Sequence, residues 1–165
     1  MTGTRDILVI GLGNPDCGDD GLGPMVARKL ADGDCAGARV MARAGDALAL
    51  IEDWADCETV LLVDAAAAIS RPGSIHRIDL AIEALAPGLS LSSTHAFGMA
   101  DAIGLARTLD MLPPHIIVYA VEGASFAPGE PMSAEVAAAA DEVTRRIIHE
   151  LHCLREVDPC MKPAL

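Results

Sequence analysis

Apolar runs rich in β-branched residues alternate along the chain with segments in which apolar residues recur every three or four positions. The first pattern is typical of buried strands and the second of amphipathic helices. We therefore predict five strands and four helices. The strands cover residues 7–10, 40–41, 59–63, 74–78 and 116–121, and the helices cover residues 22–30, 47–54, 99–109 and 134–151.

The order of these elements predicts the fold class. The first and third strands are almost continuously apolar, as expected for central strands that are covered on both faces. Strands that alternate with helices favour a parallel sheet between helix layers. The strand at residues 74–78 follows closely behind the third strand, after Pro72 and Gly73, which favours an antiparallel edge strand. We predict a three-layer α/β/α sandwich with a mostly parallel five-stranded sheet.

Length and composition favour one domain with an aliphatic core. The 165 residues are 52% hydrophobic but only 2% aromatic. We predict a single domain over residues 1–155 and a disordered tail over residues 156–165. No apolar run approaches the ~20 residues that span a bilayer. The first apolar run of the chain is also too short for the core of a signal peptide. We therefore expect a cytoplasmic protein whose five cysteines are reduced thiols.

The charge of the chain restricts its partners. A net charge of −12 and a pI near 4.6 disfavour nucleic-acid binding, because the surface repels phosphate groups. The same charge favours metal cations or basic segments of another protein.

Three sequence features follow predicted strands, at the sheet edge where open α/β folds bind their ligands. A glycine-rich loop, residues 11–23, follows the first strand and carries Asp19 and Asp20. Asp64 closes the third strand, and His95 precedes the third helix.

The glycine-rich loop does not fit the common phosphate-binding patterns. In the G-x-G-x-x-G pattern its third glycine is replaced by Asp16, and the chain contains no Gly-Lys-Ser/Thr. Asp19 and Asp20 therefore have two interpretations. They could cap the following helix, which is worth about 1 kcal/mol, or they could contact a ligand.

Asp64 and His95 also have two interpretations each. A carboxylate that closes an apolar strand is desolvated unless it has a partner or faces a cleft. Backbone N–H groups of the next loop are the structural alternative for Asp64, and a hydrogen-bonded loop histidine is the alternative for His95. If Asp20, Asp64 and His95 converge in a surface cleft, they suit a divalent first-row metal, although ligand type does not choose among nickel, zinc, manganese and iron.

Two other groups could carry chemistry. Residues 149–153, with the sequence His-Glu-Leu-His-Cys, resemble the zinc-binding H-E-x-x-H motif, but the histidines are three residues apart rather than four. We interpret them as solvated. Cys17 could act as a nucleophile, but the sequence supplies no base beside it, so we expect a small buried thiol.

Together these motifs resemble the hydrogenase maturation proteases, endopeptidases that process the large subunit of nickel–iron hydrogenases. The resemblance covers nearly the whole chain, and the order and spacing of the motifs are more specific than any one of them. It departs at residues 122–126, where the family often has Gln/Glu-Pro. The motifs are Ile-Gly-Leu-Gly-Asn at residues 10–14, Asp-Asp-Gly-Leu-Gly at 19–23, Val-Asp-Ala at 63–65 and Thr-His-Ala-Phe-Gly-Met-Ala-Asp at 94–101.

The resemblance implies a phosphorylase/hydrolase-like fold with helices on both faces of the sheet. It also implies that Asp20, Asp64 and His95 contact a metal and form the catalytic site. The implied substrate is the immature large subunit, whose C-terminal extension is removed after nickel insertion. Nickel would arrive with that substrate, other divalent cations could substitute for it, and we expect the protein to act as a monomer.

The mechanism and three other functions stay open at this point. The metal could polarise the scissile carbonyl or a bound water, or Asp20 could act as a base toward water. One alternative function is a nickel-binding accessory module without peptidase activity. Another is a peptidyl-tRNA hydrolase, which opens with a similar Gly-Leu-Gly-Asn-Pro stretch, but the Thr-Arg-His-Asn segment of that family is absent and the charge is wrong for tRNA. A domain that binds an unrelated small ligand is the third.

Overall fold

The computed structural model describes residues 6–85 and 98–156. All nine predicted elements are present, together with a single turn of 3-10 helix at Gly18–Gly21. The strands are β1 (Ile7–Leu12), β2 (Arg39–Arg43), β3 (Thr59–Ala67), β4 (Ile75–Asp79) and β5 (His115–Gly123), and the helices are α1 (Leu22–Ala31), α2 (Ala47–Trp54), α3 (Met99–Thr108) and α4 (Ala134–Glu156).

The five strands form one sheet in the order β2-β1-β3-β5-β4. The β1–β2, β1–β3 and β3–β5 pairs are parallel, and β4 pairs with β5 in the antiparallel direction at the edge. The predicted fold class is therefore confirmed, including the antiparallel edge strand. The carboxyl ends of β1, β3 and β5 consequently meet at one edge of the sheet.

The sheet has an apolar core on each face. Leu62 and Ala66 of β3 pack on the face that α2 and α3 cover. Leu61 and Val63 pack on the opposite face, against α1 and α4. Because successive strand residues alternate between faces, Asp64 is directed to the same side as Leu62 and Ala66.

Strand β3 is longer than its apolar run predicts. We expected it to end before Asp64, but pairing with β5 continues through Asp64↔Ala120 to Ala67↔Gly123. Small alanines follow Asp64, and tertiary pairing overrides their weak strand preference. Asp64 therefore lies inside a strand whose backbone is fixed by a neighbour.

The backbone of β1 approaches helix α1 unusually closely. A Cβ atom at Gly23 would lie 2.1 Å from the carbonyl oxygen of Leu12, and one at Gly11 would lie 2.0 Å from that of Gly23. No side chain fits at either position. This contact fixes the loop between β1 and α1, which carries Asp20.

Several predictions concern the ends of the chain and its loops. Glu156, where the predicted tail begins, belongs to α4. Residues 157–165, with Cys160, lie outside the described residues. The cysteines within the described ranges, Cys17, Cys35, Cys57 and Cys153, are free thiols. Within those ranges no helix combines the length and apolar character that a membrane span requires.

The glycine contact between β1 and α1 predicts opposite effects for two helical glycines. We expect Gly23→Ala to lower the free energy of unfolding by about 1–3 kcal/mol or more, because the added methyl group overlaps the backbone of Leu12. Gly104 lies in α3, where an added Cβ atom would meet nothing within 4 Å, so Gly104→Ala should raise stability by about 0.5–1 kcal/mol through helix propensity. Urea unfolding of both variants measures the difference, and equal stabilities would contradict the close approach.

Candidate active site

The loop after β1 turns back on itself so that Asp20 returns to the end of the strand. The turn requires glycine at position 13, where φ is 134° and a Cβ atom would lie 1.9 Å from the carbonyl oxygen of Asp20. The backbone N–H of Asn14 then donates to Asp20 Oδ2 at 2.8 Å. The glycine-rich sequence therefore serves a tight turn that positions an acid, and not a phosphate cradle.

Asp19 and Asp20 do not cap the helices that follow them. The cap positions of the 3-10 turn and of α1 are Cys17 and Gly21, and neither helix has a side-chain cap hydrogen bond. The capping interpretation is therefore wrong for both acids. The directions of their side chains could not be read from their positions in the sequence.

Asp19 anchors the distant loop between β5 and α4. Its carboxylate accepts hydrogen bonds from the backbone N–H groups of Ala124 at 2.7 Å, Ser125 at 3.0 Å and Ser133 at 2.7 Å, and from the Ser133 hydroxyl at 2.9 Å. Burial acts to raise the pKa of Asp19, but these hydrogen bonds outweigh it and lower the pKa. Asp19 is thus an ionised, buried anchor beside Asp20.

Asp64 lies close to Asp20. Its pKa is raised well above the usual value, first by burial and second by the negative charge of Asp20, while the backbone N–H of Ala65 opposes the shift. Among the described residues, the hydrogen bond identified for Asp64 thus comes from the next residue of the strand, whereas the structural alternative supposed donors in the next loop. Two acids 44 positions apart in the chain therefore meet at the carboxyl edge of the sheet.

The two acids are more covered than the sequence led us to expect. The sequence analysis made convergence in a surface cleft the condition for a shared metal, but Asp20 is 3% exposed and Asp64 is 4% exposed. These two side chains are therefore covered and do not themselves line an open cleft. Two carboxylates that repel each other in a region of low solvent access favour a proton or a cation between them.

His95 lies outside the described residues, so its predicted place beside the acids stays a prediction. The chain is described again from Gly98, three residues later in the sequence, whose N–H donates to Asp101 Oδ2 at 3.1 Å at the start of α3. Met99, the first residue of α3, is buried in the same core as Leu62 and Ala66. The described chain therefore resumes on the face of the sheet to which Asp64 points.

The structure also places the other groups that the sequence singled out, which are Cys17 and the pair His149 and Cys153. Cys17 is half-buried rather than buried, and its backbone N–H donates to the carbonyl of Asn14 at 3.2 Å. His149 Nε2 and Cys153 Sγ are 3.7 Å apart on α4. Across residues 6–85 and 98–156, no group of three or more histidine, cysteine or acidic side chains is arranged to hold a metal ion.

Glu122 is a buried acid that sequence reasoning did not single out as a site residue. It lies near the end of β5 and accepts hydrogen bonds from the N–H groups of Ile69, Ser70 and Arg71 at 2.9–3.0 Å and from His76 Nε2 at 2.9 Å. These contacts fasten the loop between β3 and β4. The signal that singled out Asp64, an acid at the end of an apolar strand, is also present at Glu122 and could have found it.

The hydrogen bonds of Asp19 predict that removing its carboxylate destabilises the protein far more than removing that of Asp16. Asp19→Ala leaves the buried N–H groups of the β5–α4 loop without their acceptor, so we expect the free energy of unfolding to fall by about 2–4 kcal/mol. Asp16→Ala, an exposed acid of the same loop, should change it by less than about 0.5 kcal/mol. Chemical denaturation compares them, and similar values for the two variants would remove the anchoring role.

Glu122 predicts a specific dependence of stability on pH. Burial acts to raise its pKa, but the hydrogen bonds from His76 and the backbone outweigh burial and lower the pKa from 4.5 to about 2. A lowered native pKa stabilises the fold above pH 4.5, and this contribution disappears as the pH falls toward 2. As the pH falls from 4.5 to about 2, the Glu122→Gln variant should lose less free energy of unfolding than the unchanged protein. The Glu83→Gln variant, changed at an exposed glutamate, should lose as much as the unchanged protein. Parallel curves for all three would exclude this contribution.

Comparisons with known proteins agree with this architecture. The model of a family described as "HycI: Hydrogenase maturation protease" matches residues 39–150, more than half of the chain. The matched range includes the positions of Asp64 and His95 but not that of Asp20. No protein of curated function matches the chain significantly in sequence.

Solved structures share the fold over nearly the full chain. A [NiFe] hydrogenase maturation protease HycI from Thermococcus kodakarensis KOD1 is 19% identical, with a TM-score of 0.71 over 92% of this chain and 95% of its own. The hydrogenase maturating endopeptidase HybD from E. coli is 20% identical, with a TM-score of 0.69 over 90% and 93%. A hydrogenase 2 maturation peptidase from Thaumarchaeota archaeon SCGC_AB-539-E09 is 25% identical, with a TM-score of 0.64 over 89% and 98%. The chain belongs to the hydrogenase maturation protease family.

Proposed function

We propose that this protein is the endopeptidase that removes the C-terminal extension of a nickel-loaded [NiFe] hydrogenase large-subunit precursor. In this proposal Asp20, Asp64 and His95 contact the nickel that the substrate carries. Family membership supports peptidase activity on a large-subunit precursor. The nickel contact and the three residues are the parts that the proposal adds.

The observation that carries the proposal is the pair of acids at the carboxyl edge of the sheet. Asp20 comes from the turn after β1 and Asp64 from the middle of β3, and the charge of one raises the pKa of the other. Placing two carboxylates together in a covered region costs free energy unless a positive charge offsets their repulsion. A divalent cation offsets both charges at once, which gives this arrangement a function.

The donor set also suits the proposed metal. Two carboxylates and one imidazole form a site of intermediate hardness, which accepts nickel and other first-row divalent ions. We therefore expect zinc or cobalt to substitute for nickel in binding experiments. Because three protein ligands leave coordination positions open, the same ion can stay bound to the precursor.

The burial of the acids supports an inspection step. A precursor that lacks nickel would present its peptide to two carboxylates that have no compensating charge, and their desolvation would oppose binding. A precursor that carries nickel supplies the missing charge in the act of binding. Selection of the loaded substrate therefore follows from the electrostatics of the pair and does not require a separate recognition surface.

Two chemical roles for the site are consistent with this arrangement. The bound ion can polarise the scissile carbonyl or lower the pKa of a bound water. Alternatively, Asp20 can accept a proton from the attacking water. Asp20 is our candidate base because Asn14 donates a hydrogen bond to its Oδ2, which holds the carboxylate in one orientation.

The proposal predicts that Asp64→Asn, Asp20→Asn and His95→Ala each lower the rate of extension release by about 100-fold or more, because each removes a metal contact. The measurement is mass spectrometry of a nickel-loaded precursor incubated with each variant. Asp16→Asn, in the same loop as Asp20, and His115→Ala, at an exposed histidine, should cleave at the unchanged rate. Circular dichroism of each variant confirms that the fold is intact.

Two results would count against the proposal. Cleavage at the normal rate by Asp64→Asn and His95→Ala would exclude the metal contact as an element of catalysis. Binding of the nickel-loaded precursor without any release of the extension would instead favour an accessory module that recognises nickel and lacks peptidase activity.

A further inference from the structure

A groove of about 200 Å³ begins at the 3-10 turn that carries Asp20 and runs along helix α1. We name it the α1 groove. Its lining includes Pro15, Pro24, Met25, Arg28, Glu130 and Met132. The groove is apolar along its length and has one basic and one acidic residue among its lining side chains.

The groove begins beside the turn that carries Asp20. Gly18 and Gly21, which line it, are the first and last residues of the 3-10 turn that contains Asp20. A Cβ atom at Gly21 would lie 3.3 Å from Pro15 Cα and 3.5 Å from Met132 Cε. Any side chain at Gly21 would therefore narrow the groove next to Asp20.

The wall of the groove opposite α1 is held in place by the loop that carries Asp20. Gly18 donates a backbone hydrogen bond to the carbonyl of Glu130 at 3.1 Å, and Gly129 donates to that of Asp16 at 2.8 Å. The Asp19 carboxylate fastens Ser133 on the far side of this wall. The groove is thus preformed, which lowers the conformational cost of binding an extended segment.

The size and lining of the groove favour a peptide side chain as occupant. Its volume is below the 300–1,000 Å³ that is typical of small-molecule pockets. Methionine side chains at Met25 and Met132 adapt to apolar groups of different shape. An extended peptide with an apolar side chain fits these properties better than a compact cofactor does.

Arg28 adds a charge preference. Its guanidinium is exposed, and within the described ranges no hydrogen bond or ion pair engages it. In a chain with a net charge of −12, such a cation at a groove favours an acidic group on the bound segment. The negative charge of Glu130 disfavours a second acidic group on that segment.

The spacing along α1 indicates where that acidic group belongs. Arg28 follows Leu22, the first residue of α1, by six positions, which is about 9 Å along the helix axis at about 1.5 Å per residue. An extended peptide covers this distance with about three residues, at about 3.3 Å each.

We propose that the α1 groove binds the precursor segment beside the cleaved bond, with an apolar side chain in the groove and an acidic side chain, about three residues from the bond, against Arg28. This inference rests on the proposed function, because it names a docking surface for the same substrate. It assigns Arg28 a role in specificity and not in the chemical step.

The test compares two charge reversals on adjacent residues. Arg28→Glu should raise KM for the nickel-loaded precursor about three- to tenfold and leave kcat unchanged. Lys29→Glu makes the same charge change on the same turn of α1, where Lys29 instead pairs with Asp141 at 2.9 Å, and should change KM less than twofold. A precursor in which the acidic residue is replaced by lysine should restore cleavage by Arg28→Glu and impair cleavage by the unchanged protein.

Binding of a fluorescently labelled precursor, measured by anisotropy, separates this inference from the proposed function. Binding that Arg28→Glu weakens and Lys29→Glu does not, without release of the extension by any variant, supports the groove and contradicts the peptidase. Normal cleavage with equal KM for both reversals contradicts the groove and leaves the peptidase intact. Absence of both binding and cleavage by the unchanged protein contradicts both.

Discussion

Repulsion between Asp20 and Asp64 is the constraint on which the rest of the structure depends. Both side chains are almost fully covered, and the charge of Asp20 adds to burial in raising the pKa of Asp64. A fold keeps such a pair only if surrounding contacts hold the backbone in place. Here the contacts are the Gly13 turn, the close packing of β1 on α1, and the pairing of β3 with β5 on both sides of Asp64.

The buried acids of this region have two different roles: some hold loops in place, and others are suited to chemistry. Asp19 and Glu122 accept several hydrogen bonds each, and these lower the pKa of both carboxyl groups. Asp64 has one backbone donor identified and a raised pKa. Carboxylates that are saturated with donors hold loops in place, whereas carboxylates that are destabilised in the protein are suited to bind a proton or a cation. Asp64 of the proposed site is a carboxylate of the second kind, and Asp19, beside Asp20, is one of the first kind.

Much of the fold could be predicted from the sequence, because its pattern of apolar residues is strongly periodic. The buried strands and the amphipathic helices were identified, and so was the antiparallel edge strand. The end of β3 was missed because its last alanines owe their strand conformation to β5 and not to their own preference. The anchoring role of Asp19 was missed for a related reason: its partners lie more than 100 positions away, and a local motif suggested a helix cap.

The candidate site was predicted only in part. The convergence of Asp20 and Asp64 follows from the topology of a parallel sheet, which places strand ends at one edge. Their burial could not be predicted, because it depends on how several loops pack together.

The most direct test of the account is anomalous diffraction from crystals soaked with nickel. The account predicts one strong peak about 2.0–2.2 Å from an oxygen of each of Asp20 and Asp64; a peak only at another site, such as His149 and Cys153, or no peak at all, would contradict it.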